Sequence, residues 1–445
     1  MKGKIFKRKI YSKILKWKEE NNGGTALLIE GARRVGKSTI VREFAEKEYE
    51  SFIIIDFNKV DSVIKDLFNN LNDLDYLFLV LQTEYHVSLK KRKSVIIFDE
   101  VQKCPQARQA IKYLVEDGRY DYIETGSLIS IKQHTQNITI PSEEDRISMY
   151  PMDFEEFEWA IGNSNLIETL KIFWNQKKSL GNLHRSIMKD FRLYMLVGGM
   201  PQAVEEYIET NDFSKVDKVK RRILKLYEDD FLKIDSTGRL SKLFISIPSQ
   251  LSRNARRYSI NSVVGRQTED TILEMVKALA DSKTVNVAYH SDDPNVGMNL
   301  TKNDQNFKLY IADTGLFITL IFWDKDFIEN IIYQKLLLDK LSANLGYVYE
   351  NLVSQMLVSK GNELFYYTWK KDDKHYYEID FLISSGFKLC PIEVKSSNVK
   401  SHISLDLFYQ KFSSRIYRNY LVAPHEYSQD GEVTIIPPYF LPFIK

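Results

Sequence analysis

Gly31-Ala-Arg-Arg-Val-Gly-Lys-Ser38 reads G-x-x-x-x-G-K-S, preceded by the apolar run Ala26-Leu-Leu-Ile-Glu30 and followed by Thr39-Ile-Val-Arg-Glu-Phe-Ala45. A short buried strand, a glycine-containing turn and a helix start form the context in which such a turn cradles phosphate. Gly31 and Gly36 let the backbone pass close to an anion, with N–H groups and the positive end of the helix facing it. Lys37 is then placed to reach the terminal phosphates, and the Ser38 hydroxyl to ligate a divalent cation. Ala32, Arg33, Arg34, Val35 and Thr39 complete the expected nucleotide contacts. The competing reading is a strand-to-helix turn that binds nothing.

At 445 residues the chain exceeds one ordinary core, so two or three domains are expected. A hydrophobic share of 44% with 27% charged residues fits a globular protein in water. The 62 basic and 60 acidic residues nearly cancel, so bulk charge neither favours nor excludes nucleic acid and any basic surface must be local. No apolar run is long enough to span a bilayer, which predicts no membrane partner, and the basic start Met1-Lys-Gly-Lys-Ile-Phe-Lys-Arg-Lys-Ile10 lacks a signal peptide's sustained apolar core. Cys104 and Cys390 stand far apart and without metal-ligand spacing. Neither a disulfide framework nor a zinc site is expected, and the cytoplasm is the predicted compartment.

Val95-Ile-Ile-Phe98 followed by Asp99-Glu100 places two carboxylates at the carboxyl end of a second buried strand, where they are unfavourable unless they bind something. Beside a phosphate loop, Asp99 is predicted to hold Mg²⁺ and Glu100 to orient or deprotonate an attacking water. The alternative is an acidic strand end that caps the next helix. Ser51–Asp56, Tyr120–Thr125 and Arg146–Pro151 read as three further strands with helical segments between them, the last after a long polar connection. This order predicts an α/β fold, a doubly wound parallel sheet with ligands at the carboxyl ends of its strands. A hydroxyl at Thr125 or Ser127 is then expected beside the terminal phosphate. A glycine-containing turn with locally bonded hydroxyls accounts equally for either.

Gly31–Thr39, Phe98-Asp-Glu100, Thr125-Gly-Ser127, Arg146 ahead of Tyr150-Pro-Met-Asp-Phe-Glu-Glu-Phe157, and Gly198-Gly-Met-Pro201 together resemble a bacterial and archaeal family of AAA-type P-loop ATPases. Its members carry a C-terminal domain of unknown function that resembles a nuclease. The resemblance covers essentially the whole chain, with Asp145-Arg146 standing where the family has Gly-Arg. It implies ATP as the nucleotide, Mg²⁺ as its metal and hydrolysis as the reaction; no guanine-reading N-K-x-D stands in a suitable place. It further implies that Arg146 serves as an arginine finger for a neighbouring copy in a homo-oligomer, although a surface salt bridge accounts equally for an Arg there. Gly198–Pro201 is placed near the nucleotide in a helical lid, with plain turn chemistry as the other reading. The expected division is an ATPase core over 1–151, a lid over 152–241, a winged-helix-like domain over 242–316 and a nuclease-like domain over 317–445.

Between 242 and 316 the pattern is three short helices and a β-hairpin, with Val285–His290 and Phe307–Ala312 flanking a polar excursion, as in a winged helix-turn-helix. The segment in the recognition position, Thr268–Lys277, carries Glu269, Asp270 and Glu274, which would repel phosphate. Arg253, Arg256, Arg257 and Arg266 lie ahead of it. A packing or linking role is favoured over base reading, and contact between the arginines and DNA stays open.

The C-terminal chemistry is Glu350, Asp380 and Glu393-x-Lys395. A helix over 345–358, strands at 364–369, 376–383 and 388–395, a helix near 405–412 and a strand at 417–422 give the element order of the restriction-endonuclease-like PD-(D/E)xK fold, which the residues also resemble. That resemblance implies a second divalent metal, Mg²⁺ or Mn²⁺, shared by Asp380 and Glu393 with Glu350 completing its shell. Lys395 lies on the same strand face and activates water or stabilises the phosphorane; Glu378 shares the face of Asp380. Lys370, Lys371, Lys374, Lys395 and Lys400 are available as a basic rim for DNA. An inactive nuclease fold kept as a binding platform is the alternative. Two functions of different class result: an Mg²⁺-dependent ATPase driving a nuclease-like domain on DNA, or a nucleotide-dependent signalling or scaffold switch whose C-terminal domain binds protein.

Overall fold

The computed structural model describes residues 4–127, 142–253, 257–325, 330–338, 346–397 and 399–444. The chain forms two compact units, Met1–Tyr150 with Asp281–Lys283, and Pro151–Ala280 with Thr284–Lys445.

The first unit is built on five parallel strands, β1 (Ala26–Gly31), β2 (Ser51–Asp56), β3 (Ser94–Asp99), β4 (Asp121–Gly126) and β5 (Glu144–Met149), in the order β2-β3-β4-β1-β5. Every residue of β1, β3 and β4 is buried, which is why β1 and β3 read as near-continuous apolar runs and not as alternating ones, whereas β4 buries Asp121, Glu124 and Thr125 as well. One face of the sheet, with Leu28, Ile53, Ile96, Phe98 and Tyr122, packs on Leu77, Phe78 and Leu81 of the helix Leu74–Tyr85 and on Ala107, Ile111 and Leu114 of the helix Pro105–Asp117. The chain leaves β1 for the far edge at β2 and returns past β1 to reach β5, so the turn after β1 sits at the point where the winding reverses, the usual ligand crevice of such sheets. The predicted doubly wound sheet is therefore present. The polar connection expected between β4 and β5 lies largely outside the described residues.

The second unit opens with helices Phe154–Ile161, Leu166–Gln176, Asn182–Val197, Pro201–Thr210 and Phe213–Ile234. Three more, Arg239–Leu251, Ile260–Val264 and Glu269–Asp281, precede the hairpin β6 (Val285–Ser291) and β7 (Lys302–Ile311). The helix Gly346–Ser359 is followed by β8 (Leu364–Lys370), β9 (Tyr376–Ser385), β10 (Lys388–Val394), the helix Ile403–Phe412, and β11 (Asn419–Val422), β12 (Ser428–Asp430) and β13 (Val433–Ile436). The expected C-terminal element order is thus met.

The hairpin departs from expectation. β6 pairs in parallel with β8 through Ala288↔Leu364, so β6 and β7 form one edge of a single eight-stranded sheet, β12-β13-β11-β10-β9-β8-β6-β7. A boundary at 316/317 would part strands that share hydrogen bonds. The physical reason is visible in β7, where Phe307–Ile311 is buried at every position, whereas a wing lying in solvent would alternate. The sheet is covered on one side by Leu405 and Phe408, which pack on Phe365, Ile379, Leu382, Leu389 and Leu421. The helix Gly346–Ser359 packs on β7 and β10.

Candidate nucleotide site and C-terminal cavity

In the first unit, β1 delivers the chain into a tight turn. Gly31 has no room for a side chain, since a Cβ there would collide with the Met149 carbonyl, and Gly36 adopts φ 103°, a left-handed conformation open to glycine. The helix then begins at Lys37. Lys37 is 7% exposed, and its Nζ donates to the carbonyls of Gly31 at 3.0 Å and Ala32 at 2.9 Å. Burial lowers its pKa to about 8, against the pull of Glu100 and Asp99.

Asp99, at the end of β3, gathers the other groups. Its Oδ1 accepts from Ser38 Oγ at 2.8 Å and from the hydroxyl of the fully buried Thr125. The Glu100 backbone N–H donates to Thr125 Oγ1 at 3.4 Å. Glu100 itself sits at φ 56°, and Gln102 Nε2 donates to its Oε2 at 2.5 Å. Of the two hydroxyls left open by the sequence, it is Thr125 that bonds Asp99. Ser38 and Asp99 offer hard oxygen donors side by side, which fits Mg²⁺.

Arg146, on β5, is held by Glu144, Nε to Oε1 at 2.6 Å, with 45% of its side chain exposed. Behind it lies a group the sequence reading missed: Arg108 Nη1 reaches Glu124 Oε2 at 2.9 Å and Glu144 Oε2 at 2.7 Å, all three side chains at most 1% exposed. Burial raises the Glu124 pKa to about 8 even though Arg108 opposes it. The available signal was Glu124 itself, a carboxylate within Tyr120–Thr125, a segment read as a strand of the buried sheet.

In the second unit, the Gly198–Pro201 turn is fixed by neighbours within that unit. Gly199 N–H donates to Asp313 Oδ2 at 2.6 Å, Met152 N–H donates to Gly199 O at 2.7 Å, and Pro201 opens the next helix. The adjoining Thr314 donates through N and Oγ1 to Gln355 Oε1, both at 2.8 Å, and Asn351 exchanges bonds with the Ile311 backbone. Asn351 and Gln355 lie on the helix that carries Glu350.

Glu350, Glu378, Asp380 and Glu393 line one cavity of about 1050 Å³, together with Arg257, His290, Lys308, Lys374 and His375. The structure therefore brings the predicted carboxylates to one place. Asp380 Oδ2 accepts from Val394 N–H at 2.7 Å, Glu378 is ion-paired with Lys308, and Glu393 Oε1 lies 3.3 Å from Lys395 Nζ. Burial raises the pKa of Asp380 well above the usual range, reinforced by Glu350 and Glu378; burial likewise raises Glu350 and Glu393. Lys395 thus stays beside Glu393 while its Nζ also donates to the Ser401 carbonyl, and Lys308 from β7, which the sequence reading did not single out, lines the cavity itself. Among the described residues no three His, Cys, Asp or Glu side chains are grouped to hold a metal ion, so the expected second metal does not fit the side chains as they stand. Of the expected basic rim, Lys374 lines the cavity, and Arg257 joins it from the middle region, donating to Asn306 Oδ1 at 2.9 Å. Arg256 lies outside the described residues.

The family model for an AAA domain matches residues 24–158. Two domains of unknown function match residues 188–326 (DUF8612) and 345–440 (DUF4143). Comparison with curated proteins gives no match. Among solved structures, the Walker-type ATPase PABY2304 of Pyrococcus abyssi is 17% identical, with 71% of this chain and 96% of that one covered and a TM-score of 0.42. The Aeropyrum pernix ORC1 protein, solved in complex with DNA, is 10% identical over 72% of this chain and 93% of its own, at a TM-score of 0.29. Cdc6p from Pyrobaculum aerophilum is 10% identical over 75% and 94%, at 0.27. Likeness this distant says nothing of what the chain binds.

Residues 24–158 form an AAA-type P-loop ATPase domain, and the chain is an ATPase. No described helix is long and apolar enough to cross a membrane.

Proposed function

We propose that this is a cytoplasmic, Mg²⁺-dependent ATPase whose nucleotide cycle governs its C-terminal cavity, and that the cavity acts on the DNA backbone as a nuclease-type site. In the first unit, the loop N–H groups from Ala32 to Thr39 and the Lys37 ammonium bind the phosphates of ATP. Ser38 and Asp99 hold Mg²⁺, which neutralises phosphate charge when bound. Glu100 positions the attacking water, and Thr125 fixes Asp99 and reports the terminal phosphate. Arg146 supplies charge to the site of a second copy in a homo-oligomer, exchanging Glu144 for the phosphate.

The observation that carries the C-terminal half is that Glu350, Asp380 and Glu393 line one cavity together with Arg257 and Lys374. The polar chain from Gly199 through Asp313 and Thr314 to Gln355 supports a route by which movement of the helical segment reaches the helix bearing Glu350. Two measurements on the full chain test the reading: ATP turnover, and nicking of plasmid DNA with Mg²⁺ or Mn²⁺. Lys37→Ala is expected to lower turnover by at least about a hundredfold. Turnover unchanged in that variant would sink the engine, and no metal-dependent cutting that Asp380→Ala abolishes would sink the nuclease half. The second reading, a signalling or scaffold switch with an inactive C-terminal domain that binds protein, is favoured by the pairing of Glu378 with Lys308. Native mass measurement in ATP separates the trans role of Arg146 from a structural one; a monomer that hydrolyses normally refutes the former.

A further inference from the structure

β7 carries one cation into the acidic end of the C-terminal cavity. Lys308 is 5% exposed, is ion-paired with Glu378 and feels the charges of Glu350 and Asp380. Tyr310, two residues along and hence on the same strand face, is fully buried, and its hydroxyl has no hydrogen-bond partner among the described residues. One carboxylate oxygen of Glu393 is likewise unpartnered. The site thus has spare oxygen donors, yet its carboxylates do not converge: Glu378 is turned to Lys308, Asp380 to the Val394 N–H and Glu393 toward Lys395. An ammonium lodged among carboxylates supplies, from a fixed position, the compensation that a divalent ion supplies in a metal site.

We propose that Lys308 is a built-in counter-cation that stands where a divalent metal would in this cavity and keeps Mg²⁺ or Mn²⁺ out of it. The proposal rests on reading the cavity as a nuclease-type site and adds an occupant of its metal position. A lysine on the outermost strand of the sheet lies outside the E-x-K pattern, and its effect on a metal is opposite to that expected of Lys395. It repels the ion and occupies a ligand.

The test is Mn²⁺ titration by calorimetry of the full-length, nucleotide-free protein. Asp380→Ala in each background identifies the C-terminal binding event. In Lys308→Met, the Asp380-dependent affinity is expected to tighten by at least about tenfold over wild type, while Lys308→Arg, which keeps the charge, stays near wild type. Lys308→Met/Glu378→Gln neutralises both partners, so it reads the same gain should the single variant fail to fold with Glu378 stranded. Equal or weaker affinity in the folded Lys308 variants, or no Asp380-dependent Mn²⁺ in any of them, overturns the proposal. DNA nicking is scored separately. A Lys308→Met protein that binds Mn²⁺ tightly but cuts nothing refutes the nuclease reading and leaves the role of Lys308 standing.

Discussion

Replacing Glu124 by Gln is expected to stabilise the first unit, and only at higher pH. Glu124 lies fully buried beside Glu144, and the two share Arg108, so ionising Glu124 places a second carboxylate in a site with one buried guanidinium. Its pKa in the folded protein is raised to about 8, from 4.5. The sign follows from proton counting. Between pH 4.5 and about 8 the folded state holds a proton that the unfolded state has released, so stability from this group is present at the acid end and declines as pH rises through the folded pKa. Each pH unit in that window is worth about 1.4 kcal/mol, and its roughly three and a half units set an upper bound of about 5 kcal/mol. Relaxation around a buried cluster reduces this, and about 2 kcal/mol at pH 8 is a reasonable target. Gln keeps an oxygen for Arg108 and cannot ionise. The assay is thermal or urea unfolding of wild type and Glu124→Gln at pH 5, 6.5 and 8, following the transition that ATP with Mg²⁺ shifts, since two units need not unfold together. The difference should be near zero at pH 5 and grow toward pH 8. A difference independent of pH, or a variant less stable than wild type at pH 8, refutes the reasoning.

Thr125→Val should lower ATP turnover by about ten- to a hundredfold, because it strips Asp99 of a buried hydroxyl, while Ser127→Ala should stay within about twofold; steady-state hydrolysis assays compare them. Gly199→Ala should destabilise the second unit by about 3 kcal/mol or more, because its Cβ would meet the Met152 backbone, and a lowered melting temperature checks it. Arg257→Glu should weaken DNA binding and flatten its dependence on salt, read by fluorescence anisotropy between 50 and 200 mM salt, roughly the range over which such contacts are lost.

The first unit was legible because its evidence is local. Strands β1 and β3 are unbroken apolar runs, and Gly31–Ser38 and Asp99-Glu100 stand at their ends, so motif and element could be read together. What escaped notice depended on distant partners. Ala288 meets Leu364 across dozens of residues, and nothing in Val285–His290 alone distinguishes a wing from a sheet edge. Arg108 and Lys308 were passed over for a related reason: a charged residue in an amphipathic segment reads as facing water until its acid partners, Glu124 and Glu378, are brought to it by the fold. Lys308 did leave one sign, as the sole charge within Phe307-Lys-Leu-Tyr-Ile311. The carboxylates Glu350, Asp380 and Glu393 were found because strand alternation and element order suffice to group them, whereas where Lys395 points was decided by the loop that follows, through Ser401.

The pairing of β6 with β8 bears on how this chain can be divided. The two segments that match separate domains of unknown function, 188–326 and 345–440, contribute strands to the same sheet. A fragment starting at residue 317 would leave β8 with an open row of backbone donors and acceptors beside Phe365 and Tyr366, an edge ready to recruit a strand from another molecule. Such a fragment should self-associate, whereas one beginning near residue 284 keeps the edge covered by its own hairpin. Lys308 and the carboxylates of the C-terminal cavity then stay together in the longer piece.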